Sequence, residues 1–298
     1  MAPLVSILIP TFERSFVIKK TIQSILLQSY DNIEIIITDN SADNKTRNLV
    51  ESMNCKLIKY YKNEKNIGPI LNWKKAVEYA CGEYFVILPD DDFFINPFYL
   101  EDCINISKNK KYSIIITDCI LGYDNIKKIG KSNYAGEIET KFVLKHFWAK
   151  LHIPSIANFV RKDALEGIEY FYSNEILYSD IELWLKIFRN TDTVYFYNTP
   201  SIYYTFHKSN IVKNMDVKSI INNSVFITKV FNDNESITKY LMKYSLFIFD
   251  IYKLNHFNYF HMLINRNKEI FGVFFFAHFY YLYFLKRAIS LFRKLLIC

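Results

Sequence analysis

The 298-residue chain is poor in the residues that staple or punctuate a fold: it has five cysteines, seven glycines and seven prolines. Cys55, Cys81, Cys103, Cys119 and Cys298 are odd in number, scattered, and never in C-x-x-C spacing. That argues against a disulfide framework or a zinc site, and a reducing compartment is the simple reading. No Gly- or Pro-rich linker divides the chain, and no internal repeat or low-complexity segment occurs. The opening Met-Ala-Pro-Leu-Val-Ser has no basic stretch followed by an apolar one, so no signal peptide is expected. Residues 1–235 carry no net charge, with 28 basic and 28 acidic side chains. A neutral body argues against nucleic acid as its partner.

What is present is apolar and aromatic. Hydrophobic residues make up 51% of the chain, ample for one large α/β domain with or without a helical appendage. The whole net charge of +7 falls after Ser236, where nine basic residues face only Asp250 and Glu269. The same 63 residues hold 18 of the 52 aromatics. A basic, aromatic tail on a neutral body points to a membrane surface as the partner of the tail.

Strand and helix signals alternate through the first hundred residues. Val5–Pro10, Ile33–Thr38, Leu57–Tyr61 and Glu83–Leu88 are short β-branched or apolar runs that suit strands buried on both faces. Between them, Phe16, Ile18, Ile22, Ile25 and Leu26 recur at helical spacing. Pro69 can open a further helix whose apolar side is Trp73, Ala76, Val77 and Ala80. Such alternation predicts a doubly wound, mostly parallel sheet, which binds ligands beyond the carboxyl ends of its strands. Thr11, Glu13, Asp39 and Asp90–Asp92 all stand at predicted strand ends. Later signals are looser: a strand over Ser113–Thr117, an amphipathic helix over Ser179–Arg189, strands over Thr193–Tyr197 and Ile202–Phe206, then helices only after Met215.

Pro89-Asp90-Asp91-Asp92 places three consecutive carboxylates at the end of an apolar strand. Their mutual repulsion raises pKa values unless a cation sits among them. Hard oxygen ligands suit Mg²⁺ or Mn²⁺; a solvated acidic turn is the plain alternative. Asp39 could equally stabilise a turn or cap a helix, and Pro10 could simply end its strand.

Four segments decide between these readings. Val-Ser-Ile-Leu-Ile-Pro-Thr-Phe-Glu-Arg (5–14), Ile-Thr-Asp-Asn-Ser (37–41), Asn-Ile-Gly (66–68) and Gly-Glu-Tyr-Phe-Val-Ile-Leu-Pro-Asp-Asp-Asp (82–92) follow one another in order and spacing. Together they resemble the nucleotide-binding half of family 2 glycosyltransferases of the bacterial surface-polysaccharide type, which have the GT-A fold. The resemblance covers residues 4–95 well and continues more weakly to about residue 212. It implies that Pro10, Thr11 and Glu13 lie against the base and ribose of a nucleotide sugar. Asp39 would hydrogen-bond the base, usually uracil. Asn66, Gly68 and Asn72 would line the nucleoside side of the cleft. Asp90, Asp91 and Asp92 would be the metal-binding motif whose cation holds the diphosphate. Many relatives carry an aspartate where Pro89 stands, so which of the three carboxylates ligates directly is open.

The second half must supply a base for the acceptor hydroxyl. Tyr-Ser-Asp-Ile-Glu-Leu-Trp-Leu-Lys-Ile-Phe (178–188) resembles the family's acidic motif, with Asp180 at the position of the general base and Ser179 replacing the usual glutamate. Glu182 is the reserve. Asp180 would also suit the first turn of a helix on electrostatic grounds alone. His207 resembles the histidine of the family's late Tyr-Arg-x-His segment, near the diphosphate or metal, although Thr205 and Phe206 depart from the commoner residues; a lone polar histidine is the alternative.

In the tail, Ile270–Leu285 is 16 mostly apolar residues. As a helix it spans ~24 Å, short of a bilayer core of ~30 Å. The stretch after it sets Leu285, Ala288, Ile289, Phe292, Leu295 and Leu296 on one face, with Lys286, Arg287, Arg293 and Lys294 off it, which suits an interfacial helix. A helix packed on the enzyme's own core is the alternative.

The expectation is therefore a GT-A catalytic domain over 1–212 (nucleotide half 1–110, acceptor half 111–212) and a helical, membrane-associating region over 213–298. The implied enzyme is an inverting hexosyltransferase, dependent on Mn²⁺ or Mg²⁺. It would move a sugar from a nucleotide-diphosphate donor to a polyprenyl-diphosphate-linked glycan in bacterial O-antigen or capsule assembly. It would work in the cytoplasm, on the inner face of the membrane. The rivals are a nucleotidyltransferase, which Thr11–Ser15 disfavours by having no glycine, and a non-catalytic membrane-recruiting module.

Overall fold

A computed structural model describes residues 2–123, 126–130, 134–146, 157–171 and 179–206. All of them lie in one compact unit, Met1–Met215. His207, the helices expected after Met215 and the membrane-directed tail lie outside the described residues.

Strands β1 (Val5–Thr11) and β2 (Ile33–Asp39) are buried at every position, as their nearly continuous apolar runs require, and Ser6 and Glu34 within them bond to each other. They pair in parallel from Val5↔Ile33 to Thr11↔Asp39, so one register sets two polar strand ends side by side. Helix α1 (Ser15–Leu26) connects them; α2 (Lys45–Ser52) leads to β3 (Ile58–Lys62), and α3 (Pro69–Tyr79) to β4 (Tyr84–Ile87). Then come β5 (Phe93–Phe94), α4 (Tyr99–Asn109), β6 (Ile114–Tyr123), β7 (Ile126–Gly130), β8 (Gly136–Glu139), α5 (Thr140–His146), β9 (Phe159–Arg161), α6 (Ser179–Arg189) and β10 (Thr193–Phe206). The sheet order is β3-β2-β1-β4-β9-β6-β10-β5, with β7 on β6 and β8 on β10. The β1–β2, β1–β4, β2–β3 and β6–β10 ladders are parallel, while β9 joins the halves by running antiparallel to both β4 and β6.

Alternate side chains explain the two covering layers. Val5, Ile7, Ile9, Ile33, Ile35 and Ile37 share a core with Ile18, Ile22 and Ile25 of α1 and Leu100, Cys103 and Ile104 of α4. The opposite face takes α3, where Asn72 bonds to Thr38 and Ile70, Ala76 and Val77 are buried. The sheet is thus doubly wound.

Two expected late strands are one. β10 runs through Thr193–Phe206 and absorbs Pro200, which has no amide hydrogen, by register shifts at Tyr197/Pro200 and Pro200/Ile202. Pro10 does not end its strand either. The β1–β4 ladder stops at Leu8↔Ile87, so Pro10 breaks no ladder bond there, and β1 continues beside β2 to Thr11. Among the described residues no helix is long and apolar enough to cross a membrane.

Candidate active site

The acidic turn follows β4. The Asp92 amide donates to the Pro89 carbonyl at 3.1 Å, closing a turn with Asp90 and Asp91 at its centre. Pro89 enters that turn through its carbonyl, so its missing amide hydrogen costs the turn no bond. Asp90 and Asp92 are 4% and 1% exposed. Thr11 donates its hydroxyl to Asp90 Oδ2 at 2.6 Å, and the Thr21 hydroxyl on α1 sits 2.7 and 2.8 Å from the Asp90 and Asp92 carbonyls. Thr205, from β10, donates its amide to Asp92 Oδ1 at 2.7 Å and its hydroxyl to the Asp91 carbonyl at 2.6 Å. Arg14 Nη1 lies 2.7 Å from Asp91 Oδ2 and 3.4 Å from Asp90 Oδ1.

These contacts do not offset the cost of burying the charges. Burial pushes the Asp90 carboxyl up to about 6, against the Thr11 hydrogen bond and with help from the neighbouring Asp91 charge. Burial, again with Asp91, holds Asp92 well above the usual carboxylate range. Glu34 is a useful contrast at the other end of β2. Burial raises its pKa too, but hydrogen bonds from Lys59, Ser6 and the Cys81 amide outweigh that and leave it lowered. Glu34 is a satisfied structural acid; the acidic turn has one guanidinium, that of Arg14, against three carboxylates.

A divalent cation fits that need. Among the described residues no three His, Cys, Asp or Glu side chains gather as a closed ligand set. A cation here would take one or two of the carboxylates and complete its shell with phosphate oxygens, as Mg²⁺ sites commonly do.

Next to the turn, the ends of β1, β2 and β3 meet the start of α3. Asp39 is fully buried; its Oδ1 accepts the Ser41 amide at 2.7 Å, and its Oδ2 the Tyr60 hydroxyl at 2.6 Å. Burial and the Asp39 carboxylate push the Tyr60 phenol up, so it stays a donor, and Arg47 lies 5.5 Å from its ring. The turn-stabilising role weighed for Asp39 is therefore present. Glu13 is exposed and adopts φ 56°, a left-handed conformation uncommon for a side-chain-bearing residue; its amide donates to Ser41 Oγ at 2.7 Å.

Buried amides tie the strand ends together. Asn63 donates to Asn40 Oδ1 and to Asn72 Oδ1, both at 2.8 Å. Asn72 in turn donates to the Thr38 carbonyl at 2.9 Å, and Asn40 to the Gly68 carbonyl at 3.0 Å. Gly68 precedes α3 at φ 84°, a conformation that favours glycine, and its amide donates to the exposed Asn66 side chain at 2.8 Å. Asn66, Gly68 and Asn72 thus share one corner with Thr11 and Asp39. Asn72 holds it from behind, since it is itself buried.

Sequence reading passed over Arg14, Thr21, Asn63 and Thr205, whose partners are distant in the chain. It also passed over Phe12, an aromatic side chain 44% exposed between β1 and α1. A large aromatic beside Thr11 and Glu13 was the available signal.

Asp180 stands partly buried in the first turn of α6, where a carboxylate gains from the helix dipole. Glu182 is buried on the same helix, 2.5 Å from Lys186 Nζ one turn on, and burial raises its pKa. Locked away from solvent, it is ill placed to receive an acceptor's proton. An open groove of about 460 Å³ lined by Glu83, Lys162, Leu165 and Tyr170 lies at the amino end of β4, away from the acidic turn. It is not part of this site.

Comparison with known proteins agrees with this arrangement. Residues 6–168 match glycosyl transferase family 2. An uncharacterized glycosyltransferase of Rickettsia typhi is 31% identical over 210 residues, 65% of this chain and 61% of the relative. A GalNAc(5)-diNAcBac-PP-undecaprenol beta-1,3-glucosyltransferase of Campylobacter jejuni is 24% identical over 215 residues, 70% of this chain and 67% of the relative. This chain therefore spans about two thirds of the length of these relatives. Among solved structures, S. aureus TarS 1–349 in complex with UDP-GlcNAc superposes with a TM-score of 0.70 at 16% identity, covering 85% of this chain and 74% of that one. That likeness establishes the GT-A fold.

Proposed function

The chain belongs to glycosyl transferase family 2, and on that premise we propose that it transfers a sugar from a nucleotide-diphosphate donor, a UDP-sugar foremost, to a hydroxyl of a glycan acceptor. The observation that carries this is the acidic turn, with the buried Asp90 and Asp92 carboxyls raised in pKa, set beside the polar ends of β1 and β2. Family membership sets the nucleotidyltransferase reading aside.

The chemistry then follows from charge. Asp90–Asp92 would hold Mn²⁺ or Mg²⁺, which when bound stabilises negative charge on the departing diphosphate. Phe12 and Glu13 would border the base and ribose, and Asp39, beneath Tyr60, would shape the base pocket. Asp180 would take the proton of the acceptor hydroxyl as that oxygen attacks the anomeric carbon. One displacement from the opposite face inverts the configuration and needs no enzyme-bound nucleophile. His207 is kept as a candidate near the diphosphate.

The name of the Campylobacter relative contains a polyprenyl-diphosphate carrier, which supports a lipid-linked acceptor here; O-antigen or capsule assembly is the pathway we propose for it. Such an acceptor is confined to a membrane, and the basic, aromatic tail would bring the enzyme to its inner, cytoplasmic face. Co-sedimentation with anionic liposomes should occur and should weaken at high salt; no binding at low salt would remove the membrane role.

For the donor, UDP-sugars with Mn²⁺ should raise the unfolding temperature of the full chain by several degrees, and other nucleotide sugars by less. They should also be consumed when an acceptor glycan is supplied. A chain that no nucleotide sugar stabilises, and that releases no nucleotide, would be the non-catalytic module instead.

A further inference from the structure

Arg14 has no part in the chemistry proposed above, yet it sits on the oxygens that chemistry needs. Its backbone carbonyl accepts the Val17 amide at 3.1 Å where α1 begins, which fixes the residue beside the end of β1. Its guanidinium bridges Asp91, at 2.7 Å, and Asp90, at 3.4 Å. A guanidinium and a divalent cation cannot share those oxygens cheaply, because both are positive and a few ångströms apart. The two sides also differ in freedom. The Arg14 side chain is 31% exposed, while those of Asp90 and Asp91 are 5% and 12% exposed. The carboxylates are set in place, and the arginine has solvent to move into.

Building on the metal-dependent reading, we propose that Arg14 is a positioning residue that acts as an internal counter-ion. It neutralises the acidic turn in the donor-free protein and must leave Asp90 and Asp91 when a divalent cation binds. No bond is made or broken; one cation replaces another. The displaced guanidinium is suited to phosphate oxygens, so a nucleoside diphosphate that captures it would favour metal entry. By linkage, metal would favour the diphosphate to the same degree. Arg14 thereby makes the free metal bind weakly and the metal with diphosphate bind strongly.

The test is calorimetric titration of the full chain with Mn²⁺ alone, then with Mn²⁺ in the presence of UDP. Arg14→Gln should bind Mn²⁺ alone about tenfold or more tightly than the wild type, since a competing unit charge is gone. The enhancement of Mn²⁺ binding by UDP should shrink in the same variant. Arg14→Lys, which keeps the charge, should stay near the wild type. Unchanged or weaker Mn²⁺ binding by Arg14→Gln, beside clear binding by the wild type, overturns the proposal and leaves the metal site standing. Absence of Mn²⁺ binding in every form, with and without UDP, removes the metal reading and this inference with it. Should Arg14→Gln fail to fold, the wild type still decides. The Arg14 side-chain NMR signal should shift on titration with Mg²⁺, and a signal that does not respond as Mg²⁺ binds overturns the displacement.

Discussion

Replacing Asp92 by asparagine should lower turnover about a hundredfold or more, the equivalent of ~2.7 kcal/mol of transition-state stabilisation, and chelation of divalent cations should abolish transfer. The substitution isolates charge from shape. Asparagine has almost the same volume, and its carbonyl oxygen can still accept the Thr205 amide that Asp92 Oδ1 accepts at 2.7 Å. Asp92 is 1% exposed and its pKa is raised chiefly by burial. A carboxylate kept for structure alone would not be left so poorly compensated. In chelator, therefore, Asp92→Asn should unfold at the same temperature as the wild type or higher, because a buried charge has been removed. Loss of turnover with retained stability would separate function from folding. Full activity in chelator would sink the metal role.

Asp180→Asn should reduce turnover by about 10²–10⁴-fold while leaving affinity for the nucleotide sugar nearly unchanged, since a base for the acceptor acts only in the chemical step. The competing carboxylate on α6 is in no position to substitute. Glu182 is buried and paired with Lys186 at 2.5 Å, and its raised pKa is a consequence of that burial. Glu182→Gln should accordingly act on stability more than on rate. Kinetics with the donor and with the acceptor varied separately would check both variants. If Asp180→Asn loses nucleotide affinity and keeps its rate, the base lies elsewhere.

Much of the first half of the chain is legible in its sequence. β1, β2 and β4 are short, nearly continuous apolar runs, and a strand buried on both faces imposes that pattern without reference to its neighbours. Pro69 at the first turn of α3 is an equally local signal. The acidic turn was legible because three carboxylates after such a run have a cost visible in the sequence itself. Less could be read where a segment owes its form to a partner. β5 is only two residues long and exists because Phe93 and Phe94 lie antiparallel to Tyr203 and Ile202. β10 continues through Pro200 because β6 holds it on both sides of the bulge.

The sequence by itself determined the alternation of strands and helices, the doubly wound class and the set of polar residues at the strand ends, because periodicity and burial act over a few neighbouring residues. Only the tertiary structure decided what those residues touch. It brought Thr205 to Asp91 and Asp92 across more than a hundred residues, laid Tyr60 over Asp39, linked Asn40, Asn63 and Asn72, and set Arg14 against the acidic turn. The physical reason is one of range. A hydrogen bond or ion pair depends on distances of about 3 Å, and those are set by sheet order and register rather than by anything written in the local pattern of either partner.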